Sequence, residues 1–266
     1  MAVVSRFAPA PTGHLHLGHV VDALYVWDLA RARGGRVLLR IEDHDRQRSR
    51  PEFEHSILED LAWLGFAADE PPVRQSERTA IYDEMLGRLR AQGLVYACEC
   101  SRAGLGGARY SGTCRDKRLA DAPGRTLRVR LDPAVERFED LRHGPQEQQP
   151  WQQCGDVAVR DREGNWTYQF ACAVDDFIQG VTLVIRGDDL LDSTGRQLQL
   201  ARLLGRADRP LFFHHPLVMK TATQKLSKSD QDTGVRELRA RGWSAADVLS
   251  LAARGVRLQA DPRRSG

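Results

Sequence analysis

Two stretches near opposite ends of this chain carry residue types suited to gripping phosphate. The first, Arg6 to His19, reads RFAPAPTGHLHLGH and lies between the strand-forming Val3 and Val4 and a helical pattern at Val20, Leu24, Trp27 and Leu29. A strand that turns sharply into a helix leaves the helix's first N–H groups without partners, and such donors suit the oxygens of a triphosphate. Gly13 and Gly18 let a ligand approach the backbone closely, and His16 and His19, three apart at the helix start, share a face. The second stretch, Lys225-Leu226-Ser227-Lys228-Ser229, offers two ammonium groups and two hydroxyls. Taken singly, each reads more simply as solvated surface.

Cys98, Cys100 and Cys114 form a third group able to do chemistry. The N-terminus lacks a signal-peptide pattern and no apolar run is long enough to span a bilayer, so a cytoplasmic setting without a membrane partner is expected. There, the five cysteines point to a metal or to inert thiols rather than to disulfides. Zinc wants four ligands, and C-x-C is not the usual C-x-x-C, so spacing alone leaves zinc and unpaired thiols equally open. Cys154 and Cys172 lie outside the group, with Cys172 expected in the core. Net charge is only +3, yet arginine far outnumbers lysine, which favours planar phosphate contacts without requiring them.

The elements that must position these groups follow from hydrophobic periodicity. The first helix should end near Gly34-Gly35, and Arg36 to Ile41 reads as a buried strand ending at Glu42. Strand, helix, strand at this spacing predicts a βαβ unit and a parallel sheet, with ligands beyond the strands' carboxyl ends. Pro51 opens a helix that Gly65 stops, and another runs from about Glu77 to Gln92. Residues 94–150, richer in Gly, Pro and Gln, read as an insert with a strand at Thr126 to Leu131. Beyond it come a helix at Tyr168 to Phe177, a strand at Val181 to Arg186, a helix at Thr194 to Leu204 and a strand at Phe212 to Met219. Two short helices span Val235 to Gly255, and the tail is expected to fray. The fold expected is α/β: a Rossmann-like nucleotide-binding sheet in two halves (1–93 and 151–232), an inserted subdomain (94–150) and a short helical C-terminal region (233–266).

Together, HLGH and KLSKS resemble the paired signatures of class I aminoacyl-tRNA synthetases. RFAPAPTGHLHLGH, LLRIEDHDRQRS from Leu38 and YQFACAVDDFIQGVTLVIRGDDLL from Tyr168 are similar to the glutamate-specific branch, from about Val4 to Asp230. The resemblance implies an ATP site of His16, Gly18, His19, Lys225, Ser227, Lys228 and Ser229, with His16, His19 and Lys228 catalytic and Mg2+ accompanying ATP. It implies an L-glutamate pocket of Arg6 and Arg186 for the carboxylates, Tyr168 as phenolic donor and Glu42 for the ammonium, beside Phe7, Ala8, Pro9 and Ala10. Which arginine meets which carboxylate stays open. On the residues alone, Arg186 could be an exposed strand end and Glu42 a helix cap. Ala10 stands where the family usually has serine, and Leu226 where methionine is commonest. The resemblance also implies that Tyr110 joins Cys98, Cys100 and Cys114 around one structural Zn2+, making residues 94–150 the zinc-bearing insert.

Only residues 230–266 follow the KLSKS stretch, too few for the anticodon-reading portion of a full glutamyl-tRNA synthetase. In this the chain resembles a stand-alone bacterial paralogue family, the glutamyl-queuosine tRNA(Asp) synthetases. That implies glutamyl-adenylate formation without tRNA, then transfer to queuosine at the first anticodon position of tRNA(Asp), by an expected monomer. Arg102, Arg109, Arg115, Lys117 and Arg118 could meet tRNA phosphates or be a solvated face. The alternatives are a truncated glutamyl-tRNA synthetase charging tRNA 3′ ends and a catalytically idle tRNA-binding paralogue.

Overall fold

The computed structural model describes residues 2–101, 109–217 and 234–260, the side chains as far as 254. Strand β1 (Val4–Phe7), helix α1 (Leu17–Arg31) and strand β2 (Arg36–Ile41) make the expected βαβ unit, with β1 and β2 parallel and Arg6 opposite Leu38. Helix α2 (Pro51–Leu64) has proline in its first turn, where the missing N–H costs nothing, and ends at Gly65 with φ 81°. Strand β3 (Val73–Arg74) extends β2 in parallel. A short 3-10 turn, Gln75–Glu77, precedes α3 (Thr79–Ala91), so the helix expected from Glu77 starts two residues late.

The middle of the chain supplies two sheets. Strands β4 (Val95–Cys98) and β5 (Thr126–Val129) pair antiparallel. Strands β6 (Glu136–Asp140) and β7 (Gly144–Gln148) form a hairpin, followed by the short α4 (Pro150–Gln153) and β8 (Val157–Arg160). Then come α5 (Tyr168–Ile178), β9 (Leu183–Gly187), α6 (Thr194–Leu203), β10 (Leu211–His215), α7 (Val235–Ala240) and α8 (Ala245–Ala260). Sheet pairing cuts across the line drawn at residue 150. The β6–β7 hairpin belongs to the β7-β6-β10-β9 sheet, whereas β8, beyond that line, closes the small sheet β4-β5-β8.

The sheets β1-β2-β3 and β7-β6-β10-β9 abut where the Thr182 N–H donates to the Val4 carbonyl (2.9 Å) and the Val4 N–H to the Thr182 hydroxyl (2.9 Å). All their ladders are parallel except the β6–β7 hairpin. Chain connections diverge between β1 and β9, the kind of crevice where open parallel sheets bind ligands. Helix α1 is apolar nearly all round because it is covered twice, by the sheet on one side and by Val248 and Ala252 of α8 on the other. A second core joins α3, α5 and α6 to the small sheet. No helix among the described residues is long and apolar enough to cross a membrane.

Candidate active site and metal centre

Side chains alternate along a strand, and this alternation sorts the site from the core. Phe7, Val37, Leu39 and Ile41 enter the core beneath α1, so Arg6, Arg40 and Glu42 project to the opposite face, which α5 covers. The Asp176 carboxylate takes Arg6 Nε at 3.1 Å and Arg40 Nη1 at 2.7 Å, and Arg40 Nη2 reaches Glu42 at 3.1 Å. Asp175 accepts from Arg78 Nε (2.7 Å), Gln75 Nε2 (2.8 Å) and the Tyr82 hydroxyl (2.8 Å). Burial alone would raise the Asp176 carboxyl, but Arg6 and Arg40 outweigh it and hold it well below the usual carboxylate range. Burial opposes charge on Arg6 and Arg40 as well, and Asp176 more than restores it.

Arg186, at the end of β9, is buried but held differently. Its Nε lies 3.1 Å from His214 Nε2, Nη1 donates to Gln197 Oε1 (2.6 Å) and Nη2 to the Thr194 hydroxyl (2.9 Å). All three partners are neutral, and no ion pair to Arg186 is formed among the described residues. Neither alternative read from the sequence survives: Arg186 is not an exposed strand end, and Glu42 is buried against Arg40 rather than capping a helix. Tyr168, at the head of α5, feels the fields of Arg186, Glu42 and Arg6, and burial keeps its proton on well above the ordinary tyrosine range. The chamber therefore collects Arg6, Glu42, Tyr168 and Arg186. Phe7 packs its ring on Trp27 in the core, so it borders the chamber only through its backbone. The Pro9 carbonyl accepts the Glu42 N–H at 3.0 Å, while Ala8 and Ala10 are half-buried.

Arg40, Asp175 and Asp176 are not among the site residues expected from the sequence. The signal was present: a charged residue alternating with Leu39 and Ile41, and two acids inside an apolar helix, must pair if buried.

His16 is the N-cap of α1. Its Nδ1 accepts the Gly18 N–H (3.0 Å), and His19 Nδ1 accepts the His16 N–H (3.1 Å), which makes a capping box of two imidazoles. A ring nitrogen that accepts carries no proton, so each neutral ring is protonated at Nε2. The rings lie 3.9 Å apart, centroid to centroid. Lys225, Ser227, Lys228 and Ser229 lie outside the described residues. On their far side, Gly234 bridges His16 and the Val235 N–H donates to the Leu15 carbonyl at 2.9 Å. A cleft of about 860 Å³ opens beside Tyr168, walled by His44, Asp45 and Arg48 on one side and Thr126, Arg128 and Cys100 on the other.

Cys100 belongs to the metal cluster. The sulfurs of Cys98, Cys100 and Cys114 all lie within 4.8 Å of one another, Cys100 and Cys114 being 3.6 Å apart. The Tyr110 hydroxyl is 3.5 Å from Cys98 Sγ and accepts the Cys114 N–H at 2.8 Å. A tetrahedron with Zn–S near 2.3 Å and Zn–O near 2.0 Å has edges of about 3.8 and 3.5 Å, which the Cys100–Cys114 and Cys98–Tyr110 separations match, and three thiols within 4.8 Å of one another can converge on one such ion. Burial would raise the Cys98 thiol, but hydrogen bonds from Tyr110 and Arg128 bring it down to about 7, while burial and Cys114 push Cys100 up to about 11. Gly155, at φ 68°, is required here, since a Cβ would fall 2.1 Å from the Tyr110 carbonyl oxygen. Cys154 and Cys172 are buried elsewhere, Cys172 beside Arg40 and Asp176 with its thiol raised to about 12 by burial first and by Asp176. Of the basic residues nearby, Arg115 pairs with Asp156 and Lys117 with Glu99, Arg109 and Arg118 are exposed, and Arg102 lies outside the described residues.

The family described as "tRNA synthetases class I (E and Q), catalytic domain" matches residues 2–259. The chain belongs to this family, and it is a ligase of the aminoacyl-tRNA synthetase type. A glutamyl-Q tRNA(Asp) synthetase of Rhodobacter capsulatus is 41% identical over 94% of this chain and 99% of its own length. One from Burkholderia cenocepacia is 42% identical over 95% of this chain and 89% of its own. A glutamate tRNA ligase of Elizabethkingia meningosepticum, solved in complex with its amino acid, matches with a TM-score of 0.75 at 30% identity. That match covers 87% of this chain and 53% of the ligase, so this member of the family spans about half the length of that solved relative.

Proposed function

We propose that the chain activates L-glutamate with ATP to glutamyl-adenylate, without tRNA, and passes the glutamyl group to queuosine at the first anticodon position of tRNA(Asp). An α-carboxylate oxygen attacks the α-phosphorus in line, the P–O bond to pyrophosphate breaks, and no covalent protein intermediate is needed. Positioning and electrostatics then carry catalysis. His16 and His19 donate from Nε2–H to phosphate oxygens at the positive end of α1, beside Gly18. Lys225 and Lys228 meet the pyrophosphate, assisted by Ser227 and Ser229, and Mg2+ arrives with ATP to neutralise its phosphates. Glu42 takes the ammonium, Tyr168 donates a hydrogen bond, Arg6 and Arg186 take the two carboxylates, and the 7–10 backbone borders the substrate. Cys98, Cys100, Cys114 and Tyr110 hold one Zn2+ with a closed shell, which supplies structure rather than chemistry. The acceptor nucleoside approaches through the cleft beside Tyr168. The enzyme acts as a cytoplasmic monomer, with the small sheet β4-β5-β8 and its cysteine cluster facing the tRNA.

One observation carries the reading: a buried guanidinium with only neutral protein partners, in a chamber with a second arginine, a phenol and a carboxylate. Glutamate supplies an anion to each of the two arginines, and glutamine would leave one of them without. Glutamate-dependent ATP–pyrophosphate exchange without tRNA tests activation. Transfer assayed on tRNA(Asp) with and without queuosine, alongside tRNA(Glu), tests the acceptor. Exchange that needs tRNA, or transfer indifferent to queuosine, would overturn the proposal. A second reading, charging of tRNA(Glu), draws on an Acidithiobacillus ferrooxidans relative named glutamate–tRNA ligase 1, 39% identical over 96% of this chain and 57% of its own length. Transfer to tRNA(Glu) would favour it.

A further inference from the structure

The buried groups behind Arg186 form a chain the mechanism has not used. His214 of β10 is fully buried, and its Nδ1 lies 2.7 Å from Asp140 Oδ2 at the end of β6. The same oxygen accepts the His214 main-chain N–H at 3.1 Å, while Asp140 Oδ1 accepts the main-chain N–H groups of Arg142 and His143, each at 2.9 Å. An ionised carboxylate only accepts, so the imidazole proton sits on Nδ1. Nε2 is then a lone pair, and it faces Arg186 Nε–H at 3.1 Å. The Thr194 hydroxyl, 3.2 Å from Nε2, accepts from Arg186 Nη2 and can return its own proton to the ring.

We propose that His214 and Asp140 are positioning residues for Arg186, with Asp140 fixing the ring as its Nδ1–H tautomer and Nε2 holding the guanidinium toward the substrate carboxylate. The inference rests on the glutamate reading above. A neutral acceptor has a consequence that a carboxylate would not have. It orients the guanidinium while leaving its whole charge for the substrate. A protonated ring would present N–H to N–H, losing the hydrogen bond and adding like-charge repulsion. Charged and polar groups surround the ring on every side: Arg186 on β9, Asp140 on β6, Thr194 on α6 and Asp188 on the 3-10 turn after β9, itself paired with Arg142 and His143. Burial first and Arg186 second lower the ring's pKa to about 4 against the pull of Asp140, so it is neutral at physiological pH.

Three variants separate orientation from mere packing. In His214→Gln, Oε1 can stand in for Nε2 as the acceptor, whereas His214→Asn can reach Asp140 but offers Arg186 nothing. In Asp140→Asn, an amide N–H facing the ring forces the proton to Nε2, against Arg186. In glutamate-dependent exchange, the KM for glutamate should rise about 30-fold or more in His214→Asn and Asp140→Asn and only a few-fold in His214→Gln. The KM for ATP should stay within about two-fold in all three. Equal effects of Asn and Gln at position 214, or both KM values moving together, would overturn the proposal. If the wild type shows no glutamate-dependent exchange, the functional reading fails and the relay is judged by 15N shifts of His214. A ring protonated on Nδ1 in the wild type and on Nε2 in Asp140→Asn supports it, and an Nε2-protonated ring in the wild type sinks it.

Discussion

Arg40 and Arg186 are both buried arginines on the same face of the sheet, yet the protein treats their charge in opposite ways. Arg40 is surrounded by anions: Asp176 at 2.7 Å, Glu42 at 3.1 Å and Asp175 at 3.9 Å. Arg186 has His214, Gln197 and Thr194, none of them charged at neutral pH. A buried charge must be compensated by something. For Arg40 the compensation is internal, so the residue cross-links β2 to α5 and is part of the fold. For Arg186 no internal counter-ion is described, and in the proposed reading the substrate supplies it. Arg6 stands between the two, with Nε committed to Asp176 and Nη1 to the Ile185 carbonyl beside Arg186.

If that contrast is right, removing each arginine should fail differently. Arg40→Met takes from Glu42 its described cation and from Asp176 and Asp175 one of two, and should destabilise the fold by about 3–5 kcal/mol, read from urea denaturation at pH 7. Arg186→Met strands only neutral acceptors, so it should cost about 1 kcal/mol of stability while lowering kcat/KM for glutamate about 1,000-fold. Equal stability losses in the two variants would break the comparison.

The neutrality of His214 can be checked by pH. Its pKa is about 4 in the fold against an ordinary 6.5, so the unfolded chain binds more protons between those values. Stability contributed there is complete above pH 6.5 and is lost as pH falls toward 4, by up to about 3 kcal/mol. The difference between urea midpoints of wild type and His214→Gln, followed from pH 7 to 4.5, isolates this contribution, and a flat difference would contradict it.

The smallest effect concerns Asp60 on α2, a buried acid whose Oδ2 has no hydrogen-bond partner. Burial raises it to about 6, against the more distant Arg239 and Arg236. A carboxyl raised in the fold favours the native state fully only below its unfolded value of 3.8, and that advantage is lost as pH rises from there through 6. Asp60→Asn should therefore stabilise the protein at pH 8, by no more than about 1 kcal/mol after solvent screening, by less at pH 5, and not below about pH 3.5. The metal offers a separate contrast, in which the counter-ion to buried thiols is an ion. One zinc per chain by elemental analysis is expected, with loss of metal and a lower melting temperature in Cys114→Ser.

Much of the scaffold was legible because its signals are local. Pro51 and Gly65 bound α2 through their own backbone preferences, and the apolar run in RVLLRI placed β2. Arg6, Glu42, Tyr168 and Arg186 were named from their motifs, and the structure gathers them. The hairpin β6–β7 was read as part of the insert because nothing in its polar sequence reveals that β10 will pair with it. The strand expected from Phe212 to Met219 ends at His215, before Pro216, which cannot donate to a ladder.

What the sequence determined by itself was the set of chemical groups and the local geometry of each: which residues alternate, where helices start, which thiols lie within reach of one another along the chain. Only the tertiary structure decided how each buried charge is settled. Asp176 meets Arg6 across 170 residues of chain and Arg40 across 136, and His214 meets Asp140 across 74. Whether a cation finds an anion or a neutral lone pair depends on distances in space and on the exclusion of water, and neither is set until the strands and helices have packed.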